Sequence, residues 1–196
     1  MIVIVNSGGA NIASIVFALE RMNVKAELSH NTEIIRQASH VILPGVGAAA
    51  AAMQRLKQHD LIATLQSLTQ PVLGICLGMQ LLFSHSNEGD VACLDIIPGT
   101  IELFNAKVDL TIPHMGWNTL QIDNKASPLV KNIEDNSYVY FVHSYIAPLS
   151  SATVASTDYG QKFSAIVEKD NFFGTQFHPE RSGVVGAKIL ENFLKL

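Results

Sequence analysis

The stretch Val72-Leu73-Gly74-Ile75-Cys76-Leu77-Gly78-Met79-Gln80 decides how this chain is read. Pro71 opens it, and 72–75 is a short continuous apolar run of the kind that forms a strand buried on both faces of a parallel sheet. Residues 77–84 then show helical spacing, so Cys76 falls at a strand-to-helix corner with a glycine two positions to either side. This has the mechanics of a nucleophile elbow, where a sharp, strained turn pushes one side chain out at the carboxyl edge of the sheet. The glycines leave room for neighbouring elements. The helix N-terminus brings amide N–H groups and positive dipole near the sulfur, which favours the thiolate, and the Leu77 amide becomes an oxyanion donor. The competing reading is a small inert core thiol, the usual fate of a free cysteine.

The flanking sequence continues the alternation. Residues 2–5 form a β-rich run. After the Gly8-Gly9 break, Ile12, Ile15, Val16 and Leu19 recur at helical spacing over 11–21. A strand is expected over 24–28 and a short helix over 32–37. Another buried strand, 41–43, ends at Pro44-Gly45, and an alanine-rich helix follows over 48–56. Such an alternation calls for right-handed crossovers and an α/β fold with a doubly wound, mostly parallel central sheet flanked by helices. From 96 to 177 the pattern changes to β-rich segments at 100–103, 118–122, 138–142, 153–157, 165–168 and 172–177. These read as an added antiparallel β layer. An amphipathic helix over 184–196 closes the chain. No repeat or linker intervenes, so one domain over 1–196 is expected.

Composition narrows the class. The 196 residues are 48% hydrophobic and 15% charged, and 13 Lys+Arg against 17 Asp+Glu give a net charge of −4. That balance argues against nucleic acid as a partner, because duplex binding needs a basic face. No apolar run approaches the roughly 20 residues of a membrane helix. The opening MIVIVNSGG lacks a basic n-region and reads as a strand rather than a signal peptide. Two cysteines, Cys76 and Cys93, without a CxxC pair fit a reducing cytoplasm and exclude a disulfide scaffold or thiolate zinc site. No two of the seven histidines show metal-ligand spacing, so neither a metal nor a cofactor is expected.

A nucleophilic thiol needs a base, and the base an orienting group. His178 follows the apolar run 172–177 and precedes Pro179-Glu180. Proline disfavours helix at His178, and in an extended tripeptide positions 178 and 180 face the same way. His178 then takes the proton of Cys76 while Glu180 holds the ring, at the sheet edge where open α/β folds bind ligands. A solvated turn is the plainer alternative. His30, His40, His59 and His85 lie in polar surroundings and are expected at the surface. Leu43-Pro44-Gly45-Val46-Gly47 ends a strand with a glycine turn suited to presenting a backbone N–H to an oxyanion, and it matches neither dinucleotide nor P-loop spacing.

Together the PGVG turn, the GICLGMQ elbow and the late FHPE resemble the class I (triad) glutamine amidotransferases. Pro113-His114-Met115-Gly116-Trp117-Asn118, Tyr140-Phe141-Val142-His143-Ser144-Tyr145 and the QFHPERSG run over 176–183 narrow the resemblance to glutaminase subunits of imidazole glycerol phosphate synthases. The resemblance implies a triad of Cys76, His178 and Glu180, with Val46, Gly47 and Leu77 at the oxyanion hole. It implies a glutamine pocket with Gln80, Glu88, His143, Ser144 and Tyr145, Glu88 holding the α-ammonium. It further implies that L-glutamine is hydrolysed to glutamate and ammonia. A (β/α)8-barrel cyclase partner receives the ammonia and converts PRFAR to imidazole glycerol phosphate and AICAR in histidine biosynthesis. His114, Met115, Gly116, Trp117 and Asn118 would lie near that interface and the ammonia path; a buried core role is the default for Trp117.

Two stretches depart from the family pattern: Asn6-Ser7-Gly8-Gly9-Ala10-Asn11, where many relatives carry Asp-x-Gly-x-Gly-Asn, and the alanine run 48–52. Arg181 stands where lysine is frequent. An amidotransferase of pyridoxal phosphate synthesis and a γ-glutamyl hydrolase are the enzymatic alternatives, and the segment from His114 to Asn118 argues against both. A non-catalytic scaffold would need a broken triad.

Overall fold

A computed structural model describes residues 1–6, 12–105 and 110–196. The Gly8-Gly9 break, most of the 6–11 turn and the first residue expected in the 11–21 helix lie outside them. The first half runs β1 (Ile2–Val5), α1 (Ile12–Glu20), β2 (Ala26–Ser29), α2 (Thr32–Gln37), β3 (His40–Gly45), α3 (Ala49–Gln58), α4 (Leu61–Gln66), β4 (Val72–Cys76) and α5 (Leu77–Gln80). The second half runs β5 (Phe83–Ser86), β6 (Val91–Ala92), β7 (Ile97–Leu103), β8 (His114–Thr119), β9 (Gln121–Ile122), β10 (Tyr138–His143), β11 (Tyr145–Ile146), β12 (Thr153–Asp158), β13 (Lys162–Lys169), β14 (Phe172–Thr175) and α6 (Gly183–Phe193).

The main sheet has the order β2-β1-β3-β4-β14-β13-β12-β9. Its first five strands are parallel and the last three antiparallel. Side chains alternate along β1: Ile2 and Ile4 join one core with α1 and α6, whereas Val3 and Val5 join the other with α2, α3 and α4. Period-2 alternation with apolar residues on both faces is what a sheet covered by helices on each side requires. No helix among the described residues is long and apolar enough to cross a membrane.

Several expectations are corrected. Strand β3 continues through Pro44-Gly45, because its pairing with β1 stops at Ile42 and only β4 remains alongside, the edge-like setting proline tolerates. The helix after Cys76 is four residues long, and Phe83 already belongs to β5 in a second sheet ordered β11-β7-β5-β6. The expected strand 118–122 is two strands, β8 in a hairpin with β10 and β9 at the edge of the main sheet, broken at buried Leu120. The segment 172–177 contributes β14, the parallel neighbour of β4 rather than part of the antiparallel layer. The short helix α4 fell between the expected elements.

Candidate active site

Cys76 is the last residue of β4 and sits at φ 55°, ψ −111°, a backbone conformation unusual for a side chain other than glycine. Three glycines make the corner feasible. A Cβ on Gly78 would lie 1.8 Å from the Leu43 carbonyl oxygen, and one on Gly74 would lie 2.6 Å from the Gly78 carbonyl oxygen. Gly45 is also close-packed, a Cβ there falling 2.8 Å from the Gly78 nitrogen. The short helix α5 therefore lies directly on β3 and β4, and the sulfur emerges beside the turn that follows β3.

The parallel pairing of β14 with β4, with Thr175 opposite Ile75, delivers Gln176 and then His178 to the same edge. His178 is clamped there. Its N–H donates to the Tyr140 carbonyl (3.0 Å), its own carbonyl accepts from Ser182 Oγ (2.7 Å), and that hydroxyl accepts from the Tyr140 N–H (2.9 Å). The His-Pro-Glu tripeptide is not extended as expected. His178 is extended, but Pro179–Arg181 forms a single 3-10 turn that brings Glu180 Oε1 back to 2.8 Å from His178 Nδ1. Proline at the first helical position suits that turn, since its missing N–H would have no partner there.

Burial alone would lower the proton affinity of His178. Hydrogen bonds with Cys76 and Glu180, and attraction to the charged forms of both, override it and push the pKa up to about 10. The imidazole thus holds its proton at neutral pH between sulfur and carboxylate. Cys93 is the contrast: buried away from such partners, its thiol is pushed up to about 11 by desolvation, the condition of an inert core cysteine.

Cys76, Leu77 and His178 open into a cleft of about 310 Å³, with Val46 and Gly47 on its border. Gly47 has φ 88°. The opposite wall is Pro113 with the segment from Val142 to Tyr145, and Gln80 and Glu88 complete it. Cys76, His178 and all eight expected oxyanion and pocket residues thus border one crevice, and Glu180 lies behind His178.

Residues 3–196 match the family model for class-I glutamine amidotransferases. The chain is 50% identical to the imidazole glycerol phosphate synthase subunit HisH of Idiomarina loihiensis, covering all of this chain and 97% of that one. It is 48% identical to HisH 2 of Legionella pneumophila, covering all of this chain and 98% of the relative. A glutamine amidotransferase from Thermotoga maritima, of known crystal structure, shares the fold at 16% identity, with a TM-score of 0.65 over 99% of this chain and 82% of that one.

The chain belongs to the class-I glutamine amidotransferases, among the HisH subunits.

Seen as a HisH-family site, the cleft assigns its residues unequally. Glu88 is half-buried, and its Oε2 accepts from the Ala49 N–H (2.8 Å) at the start of α3. The preceding Ala48 has no side chain to cap that helix, so the carboxylate caps it from the neighbouring loop. The alanine run fits this contact: a Cβ on Gly89 would fall 2.8 Å from the Ala50 Cβ, so only a small residue lets the loop dock. Gln80 is buried, with Nε2 donating to the Tyr145 carbonyl (3.0 Å) and Gln176 Oε1 (2.9 Å). His143 is buried too, one ring nitrogen on the Tyr145 carbonyl (2.9 Å) and the other on His114 Nδ1 (3.0 Å). Its ring is therefore wall, not a ligand contact. Ser144 and Tyr145 remain half-exposed in the cleft.

The expected interface stretch divides by the alternation of β8. Met115 and Trp117 are exposed on the outer face, with Tyr138 exposed beside them on β10. Trp117 is not a core residue. His114 points inward, stacked between Phe141 and Tyr159 with centroids 4.8 and 4.0 Å away. Asn118 Nδ2 donates to the Asp158 carbonyl (2.9 Å), and Gly116 is half-buried. His40, expected at the surface, packs edge-on against Phe193 and has its proton affinity lowered by burial. One participant escaped the sequence reading: Gln176, whose Nε2 lies 3.9 Å from Cys76 Sγ. The available signal was its place two residues before His178, at the end of a strand parallel to the one bearing the cysteine.

Proposed function

We propose that this chain, as one amidotransferase domain over 1–196, is the glutaminase subunit of an imidazole glycerol phosphate synthase. It hydrolyses L-glutamine with Cys76, His178 and Glu180 and passes the ammonia to a (β/α)8-barrel cyclase. The cyclase then converts PRFAR to imidazole glycerol phosphate and AICAR. The observation that carries this reading is the convergence of sulfur, imidazole and carboxylate at one cleft, with His178 protonated between its two partners.

The chemistry follows from those positions. The Cys76 thiolate attacks the substrate carboxamide carbon, forming a C–S bond and a tetrahedral oxyanion that the Leu77 amide and the Val46-Gly47 turn receive. The C–N bond breaks as His178 gives its proton to the departing nitrogen, leaving a thioester and ammonia. Water then adds, giving a proton to His178, and glutamate leaves as the thiolate is restored. Glu180 keeps the ring oriented and stabilises its charged form. Ser144, Tyr145 and Glu88 border the space for the amino-acid end of glutamine, where the carboxylate of Glu88 attracts the α-ammonium.

The outer face of the β8–β10 hairpin, with Met115, Trp117 and Tyr138 exposed next to the cleft wall, supports docking of the cyclase there. We place the protein in the cytoplasm, where its histidine-pathway partner would act. The test measures ammonia release from glutamine by the chain alone, with the cyclase, and with cyclase plus nucleotide. Weak basal turnover stimulated strongly by the last condition is expected; equal turnover in all three counts against the coupling. Labelling by 6-diazo-5-oxo-norleucine should modify Cys76 and spare Cys93, and labelling confined to Cys93 rules out the nucleophile.

A further inference from the structure

Two buried glutamines beside the triad are held in one arrangement by a single backbone carbonyl. The Tyr145 carbonyl can only accept, so the Gln80 atom 3.0 Å from it is Nε2. That same Nε2 lies 2.9 Å from a Gln176 side-chain atom, which must therefore be the acceptor Oε1. The remaining Gln176 atom, the donor Nε2, is thereby turned to Cys76 Sγ at 3.9 Å, a separation consistent with the larger radius of sulfur. Gln80 is 4% exposed and Gln176 is 0% exposed, so bulk water offers neither amide an alternative partner. Sheet register makes the approach unavoidable: Thr175 stands opposite Ile75, and one further step sets Gln176 beside Cys76.

The carbonyl orders its other side in the same way. His143 Nδ1 must carry a proton to donate to it (2.9 Å), which leaves Nε2 of a neutral ring to accept from His114 Nδ1 (3.0 Å). His114 Nε2 then faces Asn118 Nδ2 at 3.5 Å. The donor pointing at the sulfur is thus anchored in a network that reaches the hairpin, not in a freely rotating amide.

We propose that Gln176 is a further catalytic residue of this site, its side-chain N–H donating to the Cys76 sulfur and stabilising the thiolate, with Gln80 and the Tyr145 carbonyl as its positioning groups. The chemistry gives such a donor a distinct place. His178 loses its charge when it protonates the leaving ammonia, whereas an amide N–H does not titrate and remains beside the sulfur through thioester formation and breakdown. The neutral donor therefore complements a charged one that comes and goes. The proposal rests on Cys76 being the nucleophile.

Alkylation of the full-length chain by iodoacetamide, followed by mass spectrometry at Cys76, tests it. Gln176→Met removes the donor at similar length. Gln176→Glu keeps an oxygen facing Gln80 but turns an acceptor toward the sulfur. Hydrogen bonds to charged groups are strong enough that alkylation at pH 7 should slow about tenfold in the first variant and further in the second. The pH profile of alkylation should also move to higher pH. Variants that keep the parent circular dichroism and react at the parent rate would overturn the proposal. Should neither fold, Gln80→Met leaves Gln176 intact but unheld: a slowing of roughly threefold is expected, and an unchanged rate again overturns it. Iodoacetamide needs no glutamine, so a failure of glutamine turnover would strike the glutaminase reading without deciding this one.

Discussion

His178 at the cysteine corner and the His114–His143 pair under the hairpin are all buried, yet they occupy opposite charge states. The first is pushed up to about 10. Burial takes His114 down to about 4. It takes His143 down to about 3, against its bond to the Tyr145 carbonyl and helped by repulsion from His114 and His178. Desolvation acts the same way on every imidazole; what reverses it at His178 is the Cys76 sulfur on one side and the Glu180 carboxylate on the other. Around the pair stand aromatic rings (Phe104, Phe141, Tyr159 and Phe163) that supply packing and no negative charge. One region holds a proton between a sulfur and a carboxylate, and its neighbour stays neutral so that its hydrogen bonds keep a single direction.

The severest way to break this comparison is Cys76→Ala, which removes both the proposed nucleophile and one of the two partners of His178. Glutamine hydrolysis should fall by roughly 10⁴ or more, read as ammonia release; a variant retaining a tenth of the parent rate would refute the corner's role. Glu180→Gln keeps the shape and deletes the charge, so kcat should drop about 10²–10⁴-fold. The alkaline limb of its pH profile should also move down, because the ring binds its proton less tightly. An unshifted limb would mean that the carboxylate is not what holds His178 charged.

Stability against pH separates the two regions further. His178 binds its proton more tightly folded (about 10) than unfolded (6.5), so its contribution is complete below 6.5 and is lost as pH rises through about 10. His143 is the reverse: about 3 folded against 6.5 unfolded means a contribution present above 6.5 and lost as pH falls through about 3. His178→Asn should therefore flatten the alkaline flank of the stability curve, and His143→Gln the acid flank, in urea titrations at stepped pH. Swapped effects would show that the charge states are misassigned. The smallest effect is expected at Glu88, where Glu88→Ala removes the cap of α3. That loss costs about 1 kcal/mol, or roughly 2–4 °C in Tm, and Ala48→Ser should restore part of it by capping within the helix. A Tm unchanged by Glu88→Ala would show that the Ala49 contact contributes nothing.

The parallel half of the fold was legible because buried strands and amphipathic helices write their periods directly into the sequence: Ile2–Val5 and Thr32–Gln37 stand where the pattern put them. The elbow was legible for a similar reason, since Gly74, Cys76 and Gly78 are local consequences of one tight corner. The length of α5 was not. Its apolar residues continue into Phe83 at a spacing that suits either helix or strand, and the second sheet, remote in sequence, decides for strand. The break at Leu120 is equally non-local, because the two strands it separates belong to different sheets. His178 and Glu180 were found together by an argument from extended geometry, while a 3-10 turn is what joins them. Gln176 was not singled out, because its partners are the Gln80 amide, itself held by a main-chain oxygen of a neighbouring strand, and the Cys76 sulfur, all remote in sequence.

The only tryptophan of the chain stands on the outer face of the β8–β10 hairpin with 56% of its surface free, edge-on to Tyr140. Its fluorescence is therefore an intrinsic beacon for that face alone, uncontaminated by any second indole. A partner that covers the hairpin would shift the emission toward the blue, so assembly can be followed in real time with no dye attached.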